Sequence, residues 1–475
     1  MEHARATLLR SFAAAVSAAL ALGQSSAVCA VDDVNGDGVR DLAVANREQG
    51  KSEQFWLLSG KDGALLRCWI GNPEYPGVEA TPSPLADFDG DGLRELAILS
   101  RGGGRRGRGE DWGWPWSGQG DWRFLVLSPK SDVVLRGLEV EAHTSGGSPC
   151  IAPAGDWNRD GVVDVVLATT NHGDDRLSSI RVHSGKGWNE FLRQDGDCRG
   201  RPGEDRPTVL VCGAGDMDGD GAPDLCVGAP GRRRSEGARR ADSSELTWFE
   251  PSRGRPPESI AFQPDECTGA LLLVSGKSGE LLASAFGDAP WDCFGERLQV
   301  VPDLDGDGHA EIAVAALSRY VRVLSYDRKK RAFRTLRTIT SRCGRSYEDA
   351  FGTSIDVLPD VDGDGSPDIV IGDSKTFVIG DDSLYEGYAG VWSTGTGKQV
   401  SLPWSSLKVG ADACALGDVD KDEVPDVALS LVNYLPLKAW GTNQLVRVVS
   451  AKGGKEVVRE RAIASLRAAA AQQPR

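Results

Sequence analysis

A nine-residue acidic pattern recurs seven times in this 475-residue chain, with oxygen-bearing side chains at positions 1, 3, 5 and 9 and, in six copies, glycine at position 6. The copies, with their candidate ligands, are DVNGDGVRD (Asp33, Asn35, Asp37, Asp41), DFDGDGLRE (Asp87, Asp89, Asp91, Glu95), DWNRDGVVD (Asp156, Asn158, Asp160, Asp164), DMDGDGAPD (Asp216, Asp218, Asp220, Asp224), DLDGDGHAE (Asp303, Asp305, Asp307, Glu311), DVDGDGSPD (Asp360, Asp362, Asp364, Asp368) and DVDKDEVPD (Asp418, Asp420, Asp422, Asp426). A hard cation such as Ca2+ takes roughly six to eight oxygens at about 2.3–2.6 Å. A tight loop supplies them from these positions, with a backbone carbonyl at position 7. One match is weak. Seven make a repeat, and the repeat governs the fold.

The loops start 54 to 87 residues apart. Each is followed by a short apolar run of strand type, such as LAVA at 42–45, IAVA at 312–315 and IVIG at 369–372. A further strand then ends on a serine: Ser59, Ser128, Ser184, Ser275, Ser325, Ser393 and Ser450. A turn follows that serine, often rich in Gly and Lys, and leads into another strand. With the strand that enters the loop, every repeat supplies four antiparallel strands, A to D. The fold expected is all-β, a seven-bladed β-propeller spanning residues 25–462 with cation loops on its A–B turns. Blade 7 is expected to pack on blade 1 without exchanging a strand. From loop to marker serine the distance varies from 22 to 59 residues, but from serine to next loop only from 25 to 35. The variation therefore lies in the B–C connections, on the face opposite the acidic loops. Insertions gathered on one face of a repeat array mark a binding side.

The net charge is −15. Setting the loop carboxylates aside leaves the 54 lysines and arginines in excess of the remaining acids. Seven divalent cations would nearly cancel the charge, so the acidity speaks of metal rather than of a basic partner. Residues 1–24 read as a signal peptide: Arg5 and Arg10 precede an apolar run at 11–22, too short to span a bilayer, and a small-x-small site follows at 21–23. No other segment has the length and apolarity of a transmembrane span, and residues 463–475 form a short Ala-rich tail. The expected location is secreted, periplasmic or cell-surface. Cys29, Cys212 and Cys414 precede loops by four residues and read as core positions; Cys267 and Cys293 are candidates for a bridge.

An EF-hand would need its closing Glu at position 12 and flanking helices; here position 9 closes the loop and a strand follows. Gly38, Gly92, Gly161, Gly221, Gly308 and Gly365 permit the chain reversal at position 6. Loop 7 has Glu423 there and Lys421 at position 4, and is expected to be a weaker site or a turn without cation. Loop 3 has Arg159 at position 4 but keeps its glycine and is expected to bind. Up to seven Ca2+ are expected, as structural staples rather than reagents.

The likeness is carried by Phe294-Gly295 and Phe351-Gly352 ahead of loops 5 and 6, by the seven loops, and by Gly228-Ala229-Pro230 after loop 4. On these residues the chain resembles the FG-GAP (VCBS-type) repeat family, which includes the N-terminal propellers of integrin α chains. The resemblance implies a seven-bladed propeller with Ca2+ on the lower face and ligands on the upper. Two B–C insertions furnish ligand candidates: Arg105, Arg106, Trp112, Trp114 and Trp116 in one, Arg232, Arg233 and Arg234 in the other. Tryptophan stacks on sugars or anchors proteins, and arginine pairs with anions. The favoured reading is a secreted binding or adhesion module for a glycan or extracellular protein. The alternative is a glycan-active enzyme resembling a polysaccharide lyase, with Tyr320 or His172 among upper-face candidates. No catalytic signature and no nucleic-acid motif stands out.

Overall fold

The structure, a computed structural model, describes residues 28–46, 54–70, 77–78, 82–101, 122–131, 133–140, 149–170, 177–197, 210–230, 268–289, 292–316, 319–340, 351–379, 382–401, 404–406, 409–433, 443–453 and 456–462. They form seven antiparallel sheets, each built from consecutive strands. Blade 1 comprises Val28–Ala30, Leu42–Asn46, Gln54–Leu58 and Leu65–Ile70. In blade 2 the inner strand is split, Gly77–Val78 and Ser83–Pro84 both pairing with Leu96–Arg101, and Trp122–Leu127 and Val134–Val140 complete the sheet. Pro84 is tolerated because the inner strand is a sheet edge. Blade 3 is Cys150–Gly155, Asp164–Thr170, Leu177–His183 and Glu190–Asp197; blade 4 is Leu210–Gly215, Asp224–Ala229, Ala270–Val274 and Leu281–Phe286. Blade 5 is Phe294–Val301, Glu311–Ala316, Tyr320–Asp327 and Ala332–Thr340; blade 6 is Phe351–Leu358, Asp368–Ile379, Asp382–Ser393 and Trp404–Ser406. Blade 7 is Val409–Gly417, Asp426–Asn433, Asn443–Ser450 and Glu456–Ala462.

The ring closes through side chains. Strand B of each blade is buried on both faces, and its period of two hands alternate residues to opposite neighbours. Leu42 and Val44 pack toward blade 7, with Leu416 and Ala428; Ala43 packs toward blade 2, with Leu96 and Ile98. Ala97 and Leu99 then meet Ile151 and Val165 of blade 3. A continuous core joins blades 3, 4 and 5, and two further clusters join 5 to 6 and 6 to 7. Among the described residues no strand passes from one blade into another sheet.

The innermost strands expose one backbone edge, which must be satisfied by something other than a ladder. Neighbouring blades supply the partners. Ser354 Oγ accepts the Ala413 N–H at 3.0 Å, and Asp356 Oδ2 accepts the Ala415 N–H at 2.8 Å, linking blades 6 and 7. At the closing seam Arg40 donates to the Ala415 carbonyl at 3.1 Å and to Ala30 at 3.2 Å. Arg94 of blade 2 pairs with Asp32 of blade 1 at 2.5 Å.

The Phe-Gly pairs have a packing reason. Phe294 and Phe351 are fully buried at blade junctions. Gly295 has φ +98°, and a Cβ there would lie 2.4 Å from the Ala270 carbonyl oxygen; one on Gly228 would lie 2.3 Å from the Gly295 carbonyl oxygen. The Phe-Gly of blade 5 thus presses its backbone onto the Gly228-Ala229 strand of blade 4, an approach that side chains would block.

Trp56 sits fully buried in the blade 7–1 cluster. Trp56→Ala is expected to lower unfolding free energy by about 3–5 kcal/mol, whereas Val133→Ala, at an exposed position, should change it by less than about 0.5 kcal/mol. Chemical denaturation measures both.

Candidate metal centre

Each acidic loop joins strand A to strand B of its own blade, so all seven open on one rim. Loop 4 illustrates how the chain turns. Asp216 Oδ1 accepts the N–H groups of Gly219 (2.6 Å) and Asp220 (3.1 Å), and its Oδ2 accepts that of Gly221 (3.0 Å). Asp220 Oδ1 accepts the Ala222 N–H at 2.9 Å. Aspartate suits such positions because its short carboxylate reaches backbone donors a few residues on. The first aspartates of loops 1, 2 and 6 take the N–H groups at positions 4 and 6 in the same way.

Both of those positions lie in the left-handed region. Position 6 has φ between +85° and +91° in the six glycine loops, and position 4 is also positive throughout. Loop 7 follows the same path with Lys421 at φ +63° and Glu423 at φ +68°, and the Glu423 N–H still reaches Asp418 Oδ2 at 2.9 Å. Arg159, at φ +60°, gains a bond across to the next loop, donating to the Gly221 carbonyl at 3.2 Å.

The ninth residue closes each site. Asp41, Glu95, Asp164, Asp224, Glu311, Asp368 and Asp426 are all buried, at no more than 1% exposure. One of its carboxylate oxygens accepts the N–H of position 2, as from Met217 to Asp224 at 2.7 Å and from Val361 to Asp368 at 2.7 Å. The marker serines take part as well. Ser184 donates to Asp160 Oδ2 at 3.1 Å and Ser393 to Asp364 Oδ2 at 2.6 Å, binding the turn after strand C to the fifth loop position. The Ser393 hydroxyl, followed by the Ser366 N–H, holds the Asp364 carboxyl below its ordinary range.

Five loops bring three or more carboxylates within 4.8 Å of one another: Asp303, Asp305, Asp307 and Glu311; Asp87, Asp89 and Glu95; Asp216, Asp218 and Asp224; Asp360, Asp362 and Asp368; Asp418, Asp420 and Asp426. Position 5 joins the group only in loop 5, its carboxylate elsewhere serving the turn. Loops 1 and 3 carry Asn35 and Asn158 in place of one acid, and the amide oxygens accept the N–H of position 5 at 3.0 and 2.9 Å. Loop 7 gathers its acids like the others despite Lys421 and Glu423.

Burial drives the closing acids up. Glu311 is raised to about 8, by burial first, opposed by the Leu304 N–H and reinforced by Asp305, Asp303 and Asp307. Burial likewise lifts Glu95 and Asp368 to about 7, and Asp41, Asp224 and Asp426 to about 6. Glu95 Oε1, Asp368 Oδ1 and Asp426 Oδ1 are buried with no hydrogen-bond partner. A buried, unsatisfied carboxylate oxygen is expensive. All-oxygen, multiply charged loops that leave such an oxygen bare fit a hard divalent cation.

Residues 303–371, from the first aspartate of loop 5 into strand B of blade 6, match the FG-GAP-like repeat family. The same loop and four-strand unit recurs in all seven blades. The matched segment and the fold together support an FG-GAP repeat propeller protein.

The expected ligand candidates Arg105, Arg106, Trp112, Trp114, Trp116, Arg232, Arg233 and Arg234 lie outside the described residues, as do residues 1–24, expected to be a leader, residues 463–475, Cys267 and His172. Tyr320 is engaged structurally: its hydroxyl donates to buried Asp292 at 3.0 Å, Arg322 lies over its ring, and burial raises its pKa. His309 is half-buried on the loop rim beside Arg328. Sequence reasoning saw the marker serines without their role. Their fixed place in each repeat was the signal. It also missed the left-handed requirement at position 4, which five glycines concealed.

Two outcomes follow for the FG-GAP loops. Glu423→Gly relieves a left-handed non-glycine and should raise stability by about 1 kcal/mol, read by chemical denaturation. The closing acids have folded pKa values above their unfolded ones, so their stabilising contribution is full below about pH 4 and is lost as pH rises through about 6–8. Metal-stripped protein should therefore melt at a higher temperature at about pH 5 than at about pH 8, and the reverse order would contradict this electrostatic picture.

Proposed function

We propose that this FG-GAP propeller is a calcium-stabilised binding module whose ligand, a glycan or an extracellular protein, docks on the face opposite the acidic loops. The observation that carries the calcium part is the buried closing carboxylate, with one oxygen bare in loops 2, 6 and 7, in loops that otherwise offer only oxygen ligands. The cation's part is charge neutralisation and cross-linking. Held by positions 1, 3 and 9, with position 5 joining them in loop 5, it would tie the A–B loop of a blade into one rigid turn. Residues of the chain already orient these oxygens, so binding needs little rearrangement.

The placement of the ligand rests on topology. The acidic loops occupy the A–B rim, and the ends of strands B and C between which residues 102–121 and 231–267 fall in the sequence lie at the other rim. That second rim is where arginine and tryptophan cluster in the sequence. Localisation outside the cytoplasm belongs to the same proposal, through the N-terminal leader. No helix among the described residues is long and apolar enough to cross a membrane.

Thermal melting in Ca2+ and in chelator tests the metal. An ion bound only by the native state stabilises it by about 4 kcal/mol per site at a thousandfold excess over Kd, so a large rise in melting temperature is expected. Identical curves would refute it. A polysaccharide array followed by an assay for unsaturated sugar products tests the ligand. Binding without turnover is expected, and turnover would favour the enzyme alternative.

A further inference from the structure

Loops 4 and 6 form a natural comparison. Both present four aspartates, glycine at positions 4 and 6, and proline at position 8. They differ in the residue that follows the marker serine, Gly276 against Thr394. In blade 4 the Gly276 N–H donates to Asp224 Oδ1 at 3.0 Å. Only glycine can sit so close, since a Cβ would lie 1.8 Å from the Pro223 carbonyl oxygen. In blade 6 the Thr394 hydroxyl instead donates to the Pro367 carbonyl, and Asp368 Oδ1 stays buried without a donor.

The same division runs around the ring. Gly60 donates to Asp41 at 3.2 Å and Gly185 to Asp164 at 3.1 Å. Ala451 turns its N–H to the Pro425 carbonyl at 2.9 Å, and Asp426 Oδ1 is bare. Pro129 has no N–H to give, and Glu95 Oε1 is bare. Loop 5, where Tyr326 takes the place, falls in neither group.

We infer that the residue after the marker serine sets how tightly each loop holds its cation, loops 2, 6 and 7 being the tight class and loops 1, 3 and 4 the weak one. The inference rests on the calcium reading above. A glycine N–H occupies a lone pair of the closing carboxylate and satisfies it when no cation is bound. Without that donor the metal-free loop keeps a desolvated anionic oxygen, and the cation relieves the whole penalty. A hydrogen bond to a charged group corresponds to roughly a 10- to 100-fold difference in affinity. Loop 7 bears its own Lys421 and Glu423, so the clean comparison is loop 4 with loop 6.

Hydrogen–deuterium exchange on the full, metal-stripped chain reads the loops separately as Ca2+ is added. Peptides covering 360–368 should become protected at a free Ca2+ concentration roughly 10-fold or more below that for peptides covering 216–224. Thr394→Gly should move the loop 6 midpoint up toward that of loop 4 and leave loop 4 unchanged, while Thr394→Ser, which retains the hydroxyl, should leave both in place. Equal midpoints in the unmodified chain, or a loop 6 midpoint indifferent to Thr394→Gly, would overturn the inference while leaving the calcium reading intact. Absence of any Ca2+ response in any loop would instead bring down the calcium reading. The comparison of loops 4 and 6 in the unmodified protein needs no variant to fold.

Discussion

The buried carboxylate at the ninth loop position is the interaction on which each blade depends. In blade 4 its Oδ2 holds the start of the A–B loop through the Met217 N–H, and its Oδ1 holds the C–D turn through Gly276. In blades 1, 3 and 4 one side chain therefore fastens both hairpins at the same rim. Removing it from water is costly for an anion, and that cost makes a cation, or a proton, a structural partner of the fold. A cation bound as proposed would thus couple metal to the stability of the hairpin.

Closure of the ring answers a second constraint. Seven sheets laid side by side leave seven inner edges, and each edge carries unpaired backbone groups. Side chains from the adjacent blade meet them: Ser354 and Asp356 for blade 7, Arg40 across the seam between blades 7 and 1. Apolar alternation along strand B supplies the rest, since each such strand faces two neighbours at once. Among the described residues the seam between first and last blade is held by side-chain packing and by Arg40, with no strand exchanged across it.

Much of this was legible in the residues. Aspartates at alternate positions with glycine at the sixth specify a turn that collects oxygens whatever surrounds it, because the bonds that shape it are local. The strand runs after each loop were legible for a related reason: residues such as those at 312–315 are too uniformly apolar for a one-sided sheet. Loop 7 was harder to judge. Lys421 and Glu423 break the local rule, yet the backbone follows the common path, held by Asp418 and by the strands on either side.

The sequence by itself determined the repeat number, the all-β class, the rim that carries the acidic loops and the identity of the oxygens they offer, since these follow from spacing and from interactions between near neighbours. Only the tertiary structure decided which carboxylate oxygens are left bare, why Phe294-Gly295 meets Gly228, and which arginines bridge blades. Those outcomes depend on approach between segments tens or hundreds of residues apart, as with Arg40 and Ala415, and no local pattern encodes how closely two backbones come together.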